Sequence, residues 1–161
     1  MTQHQARAGI VVERTWRASI QDVWDLWTTK AGFESWWGPE GFRADVHVLE
    51  AREGGLLNYD MVAEAPEVIA AMEAAGQPTS HPTHSRFSEF RPRDRLVITN
   101  TIDFLPGVAP YQANITVDFI TSGPEVRMVV TLDPLHSEEF SNMQLEGFTS
   151  QLRKLEARFG A

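Results

Sequence analysis

Apolar residues recur at every second position along much of this chain, which is the period of a β-strand with one buried face. The pattern predicts strands over residues 10–16, 42–49, 56–62, 84–90, 95–104, 111–121 and 125–132. Adjacent strands joined by short connections are typical of an antiparallel meander. The chain should therefore contain one antiparallel sheet of about seven strands.

Apolar residues that recur three and four positions apart predict helices in four places. The first starts at the N-cap Ser19 and ends near Thr29, and a second over 31–37 is closed by a Gly-Pro pair. A third, within 64–76, has Pro66 at its start and a glycine at its end. The longest spans 138–159, and its apolar stripe consists of Leu145, Phe148, Leu152, Leu155 and Phe159.

The order of these elements predicts an α+β fold. A sheet with one apolar face has to be covered, and the last helix is the one long amphipathic element present. A single helix is only about 10 Å wide, so a sheet of seven strands has to curl around it, which leaves room for a cavity. We expect residues 9–161 to form one domain, preceded by a flexible lead-in over 1–8.

Composition narrows the classes of function. The 161 residues carry a net charge of −8 and include no cysteine. An acidic chain lacks the basic field that binds nucleic acid or anionic membranes, and disulfides and thiolate metal sites are excluded. No apolar run reaches the roughly 20 residues needed to span a bilayer, nor does a signal sequence precede the first strand. We expect a cytoplasmic protein without a cofactor, a nucleic-acid partner or a membrane partner.

Several short motifs resemble one known superfamily. They are the first strand, Val23-Trp24, the Ser-Trp-Trp-Gly-Pro segment at 35–39, Glu-Gly-Gly at 53–55 and Glu-Gly-Phe-Thr-Ser-Gln-Leu at 146–152. In this order they resemble the START-like (SRPBCC) superfamily, and within it the branch related to the C-terminal domain of the activator of Hsp90 ATPase. The resemblance covers about residues 9–159. It implies a helix-grip fold, with seven antiparallel strands wrapped around the C-terminal helix, and a pocket for hydrophobic or amphipathic molecules.

Two features depart from that family pattern. The segment 63–83, with its own helix, replaces a short turn, and an insertion at a strand end could lie over the pocket as a lid. Phe148 stands where many relatives carry Trp, which is a conservative change for packing.

Aromatic and sulfur-containing side chains are the candidates for contact with a ligand, with ordinary core packing as the alternative for each. Two adjacent Trp residues on a helix cannot both face inward, so one of Trp36 and Trp37 should face a cleft or solvent. The ligand-binding candidates are Trp27, Trp36, Trp37, Tyr59, Met61, Phe87, Phe104, Tyr111 and Phe148.

Acid–base chemistry would require a carboxylate, His or Tyr inside the cavity. Glu89, His84 and Tyr111 are the candidates, and the strand period places Glu89 on the same face as Phe87. A surface ion pair with a nearby arginine is the alternative for Glu89. His81 and His84 lie close in sequence, but a tetrahedral zinc site requires further ligands, so we predict no metal site.

Three functions remain open at this point. The first is a binding protein for a small hydrophobic or aromatic molecule. The second is an enzyme of the polyketide cyclase or dehydratase kind, since such enzymes occur among the relatives. The third is a stress-response domain that contacts a chaperone. An exposed sheet edge would also permit a homodimer.

Overall fold

A computed structural model describes residues 9–103 and 105–160 of the chain. The elements are β1 (Ile10–Trp16), α1 (Ile20–Thr28), α2 (Lys30–Glu34), β2 (Phe42–Leu49), β3 (Leu56–Ala63), α3 (Pro66–Ala74), β4 (Ser80–Arg91), β5 (Arg95–Ile102), β6 (Tyr111–Ser122), β7 (Glu125–Leu132) and α4 (Glu138–Phe159). The predicted lead-in over 1–8 and the candidate Phe104 lie outside the described residues.

The seven strands form one antiparallel sheet in the order β1-β7-β6-β5-β4-β3-β2. Strands β2 to β7 are thus a simple meander, and β1 closes the other edge by pairing with β7. The sheet is curled and holds α4 against its concave face, so the α+β, helix-grip expectation is confirmed. Among the described residues, no helix is both long and apolar enough to cross a membrane.

Helix α4 begins and ends as its sequence predicts. The Ser137 hydroxyl accepts a hydrogen bond from the Phe140 amide, and Gly160 closes the helix in the left-handed conformation at φ 71°. Its predicted stripe faces the sheet, with Phe148, Leu152 and Leu155 buried. At about 25 cal/mol for each Å² of apolar surface, burial of such side chains is what holds α4 to the sheet.

The 35–39 segment corrects one sequence-based expectation. Helix α2 ends at Glu34, so Trp36 and Trp37 lie in an irregular turn and not on a helix. Both are buried, at 0% and 6% exposure. The prediction that one of them faces a cleft or solvent assumed helical geometry, which the chain has already left.

Strand β4 also begins earlier than its pattern predicts, at Ser80 instead of residue 84. The intervening Pro82 argued against a strand because it donates no backbone hydrogen bond. In the fold, β5 pairs with β4 only from Ser85 onward, so the first residues of β4 have a single neighbouring strand. An open edge of this kind tolerates proline.

Candidate functional site: a recess between helix α4 and the sheet

A recess of about 190 Å³ lies between α4 and the concave face of the sheet. Its residues come from the turn after α2, from four strands and from one face of α4. They are Trp37, Pro39, Tyr59, Met61, Asn100, Ile115, Leu132, Gln144, Gly147, Phe148 and Gln151. A larger cleft of about 430 Å³ beside α1 is lined by exposed charged residues, including Asp22 and Arg158. Small organic molecules usually bind where the lining is mainly apolar, so the recess beneath α4 is the better candidate.

One wall of the recess is aromatic. The Trp37 indole nitrogen donates to the Tyr59 hydroxyl at 3.0 Å. Phe33 stacks on Trp37 with ring centroids 4.6 Å apart and an interplanar angle of 21°. These contacts fix the rings of Trp37 and Tyr59, so this aromatic wall is formed in advance of any ligand.

Among the described residues that line the recess, Tyr59 is the one that can ionise. Burial raises the pKa of Tyr59 to about 12, and hydrogen bonds to Trp37 and Thr83 oppose this rise. The phenol is therefore neutral at physiological pH and can act in the recess only as a polar, uncharged group. This makes it a poor proton-transfer group, since an effective catalytic group has a pKa near the working pH.

Helix α4 holds the turn that carries Trp37. Gln151 Oε1 accepts from the Gly38 amide at 2.9 Å, and Ser150 Oγ accepts from the Glu40 amide at 2.9 Å. One turn further along, Lys154 Nζ donates to the Gly38 carbonyl at 2.8 Å. Burial lowers the pKa of Lys154, and the nearby carboxylate of Glu64 opposes that change.

Three carboxamides line the recess, and two of them, Gln151 and Asn100, are oriented by hydrogen bonds to their oxygens. Gln151 Oε1 is held by Gly38, and Asn100 Oδ1 accepts from the Ser85 hydroxyl. The NH2 group of each side chain therefore points away from the group that its oxygen contacts. The Gln151 side chain is 3% exposed, and its Nε2 has no hydrogen-bond partner among the described residues.

Sequence reasoning missed both amides, although their positions carry a signal. Asn100 alternates with Ile98 and Ile102, so it belongs to the inner face of β5. Gln151 follows Phe148 by three residues and so continues the apolar stripe of α4. A polar residue at an inward-facing position is a candidate for a binding role because a buried polar group needs a partner.

The structure brings together four of the nine ligand-binding candidates. Trp37, Tyr59, Met61 and Phe148 all line the recess. Trp27, Trp36 and Phe87 are fully buried in the core and are not among its lining residues. Phe104 lies outside the described residues, and Tyr111 is not among those that line the recess.

Tyr111 lies at the start of β6, opposite the N-terminal end of α4. Its hydroxyl is 2.9 Å from His136 Nδ1 and accepts from the His136 amide at 3.1 Å. It does not belong to the residues that line the recess. The partner that a Tyr hydroxyl needs is supplied here by the chain itself.

Glu89 and His84 point away from the recess. A bulge in the pairing between Phe87 and Glu89 interrupts the strand period, so Glu89 does not share the face of Phe87. Its carboxylate pairs with Arg95 and Arg91, which hold its pKa below the usual value. This is the surface ion-pair alternative stated from the sequence.

His84 pairs across the sheet with Asn58, a position that alternates with the inward-facing Leu57 and Tyr59. The His84 side chain therefore lies on the outer face of the sheet.

No group of three or more His, Asp or Glu side chains within 9–103 and 105–160 is arranged to hold a metal ion.

The inserted segment docks beside the turn after α2. The amides of Glu64 and Ala65 donate to the Gly41 carbonyl, at 2.8 and 3.1 Å. No residue of 64–82 lines the recess. A lid role for this insertion stays a prediction.

The fold and recess together define a START-like protein of the helix-grip type. The chain matches the family "Activator of Hsp90 ATPase homolog 1-like protein" over residues 17–160 and belongs to it, which confirms the resemblance seen in the sequence. Members of this START-like family commonly bind hydrophobic ligands. No curated protein matches the chain.

Solved structures from bacteria share the fold. A crystal structure of a Chromobacterium violaceum protein matches with a TM-score of 0.72 and 22% identity, covering 96% of this chain and 98% of that one. The AHSA1 protein of Silicibacter pomeroyi matches with a TM-score of 0.74 and 20% identity, covering 95% and 98%. A solution structure from Arthrobacter aurescens gives 0.74 and 20%, covering 95% and 86%.

Proposed function

We propose that this chain is a binding protein for a small, mainly apolar or aromatic molecule, which occupies the recess beneath α4. The observation that carries the proposal is the recess itself, an apolar space with a preformed aromatic wall and a few polar groups. Ligand sites generally have this character. The cytoplasm is the compartment we propose for it.

The size of the recess limits the ligand. Its volume of about 190 Å³ is below the range of roughly 300–1,000 Å³ that is usual for drug-sized ligands. It equals about six water molecules at roughly 30 Å³ each. A compound with a single ring fits this space better than a long lipid or a polyketide chain.

The recess offers few groups that could transfer a proton, which favours binding without chemistry. Tyr59 is the only ionisable residue among the described residues of its lining, and its pKa of about 12 keeps it protonated. The acid–base candidates Glu89, His84 and Tyr111 are absent from the lining. We therefore place the cyclase or dehydratase hypothesis second.

Gly147 offers a direct test, because it lines the recess from α4 and a Cβ built there meets no atom within 4 Å. Gly147→Leu should place a bulky side chain in the recess without disturbing the helix backbone. Glu146→Leu, at the adjacent exposed position, is the matched control.

Binding of ethylbenzene, indole and acetophenone can be followed by ¹H–¹⁵N NMR. We expect saturable shifts of recess resonances in the unmodified chain and in Glu146→Leu, and affinity at least about tenfold weaker in Gly147→Leu. If none of the three probes shifts the recess resonances, or if Gly147→Leu binds them as well as the control does, the proposal is wrong.

A further inference from the structure

The polar groups of the recess specify which chemistry a ligand should present. Gln151 and Asn100 line it from opposite sides, one on α4 and one on β5. Each amide oxygen is already engaged, by the Gly38 amide and by the Ser85 hydroxyl. The NH2 group of each side chain is a hydrogen-bond donor only, and the third carboxamide of the lining, Gln144, is partly exposed.

The Gln151 amide nitrogen is an unusual feature of this interior. Buried polar atoms nearly always have a partner, and a buried donor left without one is destabilising. Gln151 Nε2 has none among the described residues, although the side chain is almost fully buried. Rotation of the amide by half a turn would not help, because the bond from Gly38 requires an oxygen at the other position.

Charge decides between the acceptors that could satisfy these donors. Within 9–103 and 105–160, the residues that line the recess include no Lys, Arg, His, Asp or Glu. A carboxylate or phosphate would be buried there without a counter-ion, which is strongly unfavourable. A neutral acceptor oxygen, such as that of a ketone, aldehyde, ester or amide, has no such penalty.

We propose that the recess selects small neutral carbonyl compounds with an aromatic or alicyclic body, whose oxygen accepts hydrogen bonds from Gln151 Nε2 and Asn100 Nδ2. This inference rests on the proposed function and deepens it. The aromatic wall formed by Trp37 and Tyr59 would hold the ring, and the two amides would fix its orientation. Neither amide was a candidate on sequence grounds.

Two probes of nearly equal shape test the inference. Acetophenone carries the carbonyl oxygen, and ethylbenzene lacks it. We expect acetophenone to bind about tenfold more tightly, as one satisfied buried donor implies. In ¹H–¹⁵N spectra the Gln151 side-chain NH2 signal should move downfield with acetophenone but not with ethylbenzene. Benzoate, which is anionic, should bind more weakly than acetophenone.

Gln151→Met removes the donor, and with it the oxygen that accepts from the Gly38 amide, while keeping length and volume. Gln112→Met, at an exposed site on β6, is the matched control. We expect the ratio of acetophenone affinity to ethylbenzene affinity to fall to about one in Gln151→Met, because loss of the Gly38 contact affects both probes and loss of the donor affects acetophenone alone. If Gln151→Met does not fold, Asn100→Leu replaces it, with the same reduced preference expected.

The outcomes separate this inference from the function on which it rests. Failure of all probes to bind would contradict the proposed function. Equal binding of acetophenone and ethylbenzene, or an acetophenone preference that survives in Gln151→Met, would overturn the carbonyl inference and leave a purely apolar site. Tighter binding of benzoate would also overturn it.

Discussion

Raising the pH tests whether the Tyr59 hydroxyl is as buried as the fold requires. Tyr59 is 6% exposed. Burial raises its pKa from 10.0 to about 12 in the folded chain, against the hydrogen bonds from Trp37 and Thr83. An unfolded chain exposes the phenol and restores the ordinary pKa. Between these two pKa values the folded chain keeps a proton that the unfolded chain has released.

The sign and size of the effect follow from linkage. Because the folded state binds more protons, the free energy of unfolding decreases as pH rises. The stabilisation is fully present below the unfolded pKa of 10.0 and is lost as pH rises through the folded pKa of about 12. Two pKa units at about 1.4 kcal/mol each give at most about 2.7 kcal/mol, of which about half is lost by pH 11.

The chain is well suited to the assay because it contains only two tyrosines. In a Tyr111→Phe variant, near-ultraviolet absorbance of tyrosinate reports on Tyr59 alone. Urea unfolding at about pH 9 and about pH 11 gives the linked change in free energy. Tyr59→Phe serves as the comparison, and we expect it to lose less stability over this interval by about 1.4 kcal/mol.

Two results would refute the reasoning. One is titration of Tyr59 in the folded Tyr111→Phe variant at the ordinary pKa of a tyrosine. The other is an equal loss of stability in Tyr59→Phe, which would assign the pH dependence to other groups. Either would mean that water reaches the aromatic wall, and the recess would lose the preformed apolar surface on which the proposed function depends.

Three further predictions concern the frame around the recess. Leu152→Ala should lower the free energy of unfolding by about 2–5 kcal/mol in urea, because the side chain is fully buried, whereas Met143→Ala, at an exposed site, should change it by less than about 0.5 kcal/mol. Gly147→Ala should stabilise α4 by about 0.5–1 kcal/mol in the same assay. Gly32→Ala should be strongly destabilising, because its Cβ would lie 2.1 Å from the Asp25 carbonyl oxygen. Equal effects of the two substitutions on the free energy of unfolding would contradict this prediction. Glu89→Gln should leave acetophenone affinity unchanged by NMR titration, and a large loss would return Glu89 to the site.

The period of the apolar residues and the capping residues at helix ends were sufficient to predict most of the helices and strands. Strand alternation locates β1 to β3, β6 and β7 within a few residues, because buried and more exposed positions alternate along them. Strand β5 has four consecutive buried residues, 96–99, and is located by its content of Val, Ile and Thr. Ser137 and Gly160 define α4 because a hydroxyl cap and a left-handed glycine are local features of the chain. The order of the strands follows from short connections, which leave a meander little freedom.

The errors have a common physical origin, since each depends on an irregularity that period cannot reveal. The bulge near Glu89 reverses the face of every residue after it, and its presence depends on pairing with β5. The end of α2 at Glu34 frees Trp36 and Trp37 to turn inward together. Interior amides were overlooked for another reason, because their partners lie far away in the sequence.

The long-range contacts of α4 explain why two distant motifs occur together in this chain. Residues 35–39 and 146–152 are the two halves of a single interface, in which Gln151 and Ser150 bind the backbone that follows Trp37. Gln151 also lines the recess, and its amide nitrogen is a buried donor without a partner among the described residues. The position of that donor is therefore fixed by closure of the turn, and only the folded chain holds the donor away from water. Any ligand that binds Gln151 Nε2 should consequently stabilise the turn as well as α4, so that binding and folding reinforce each other.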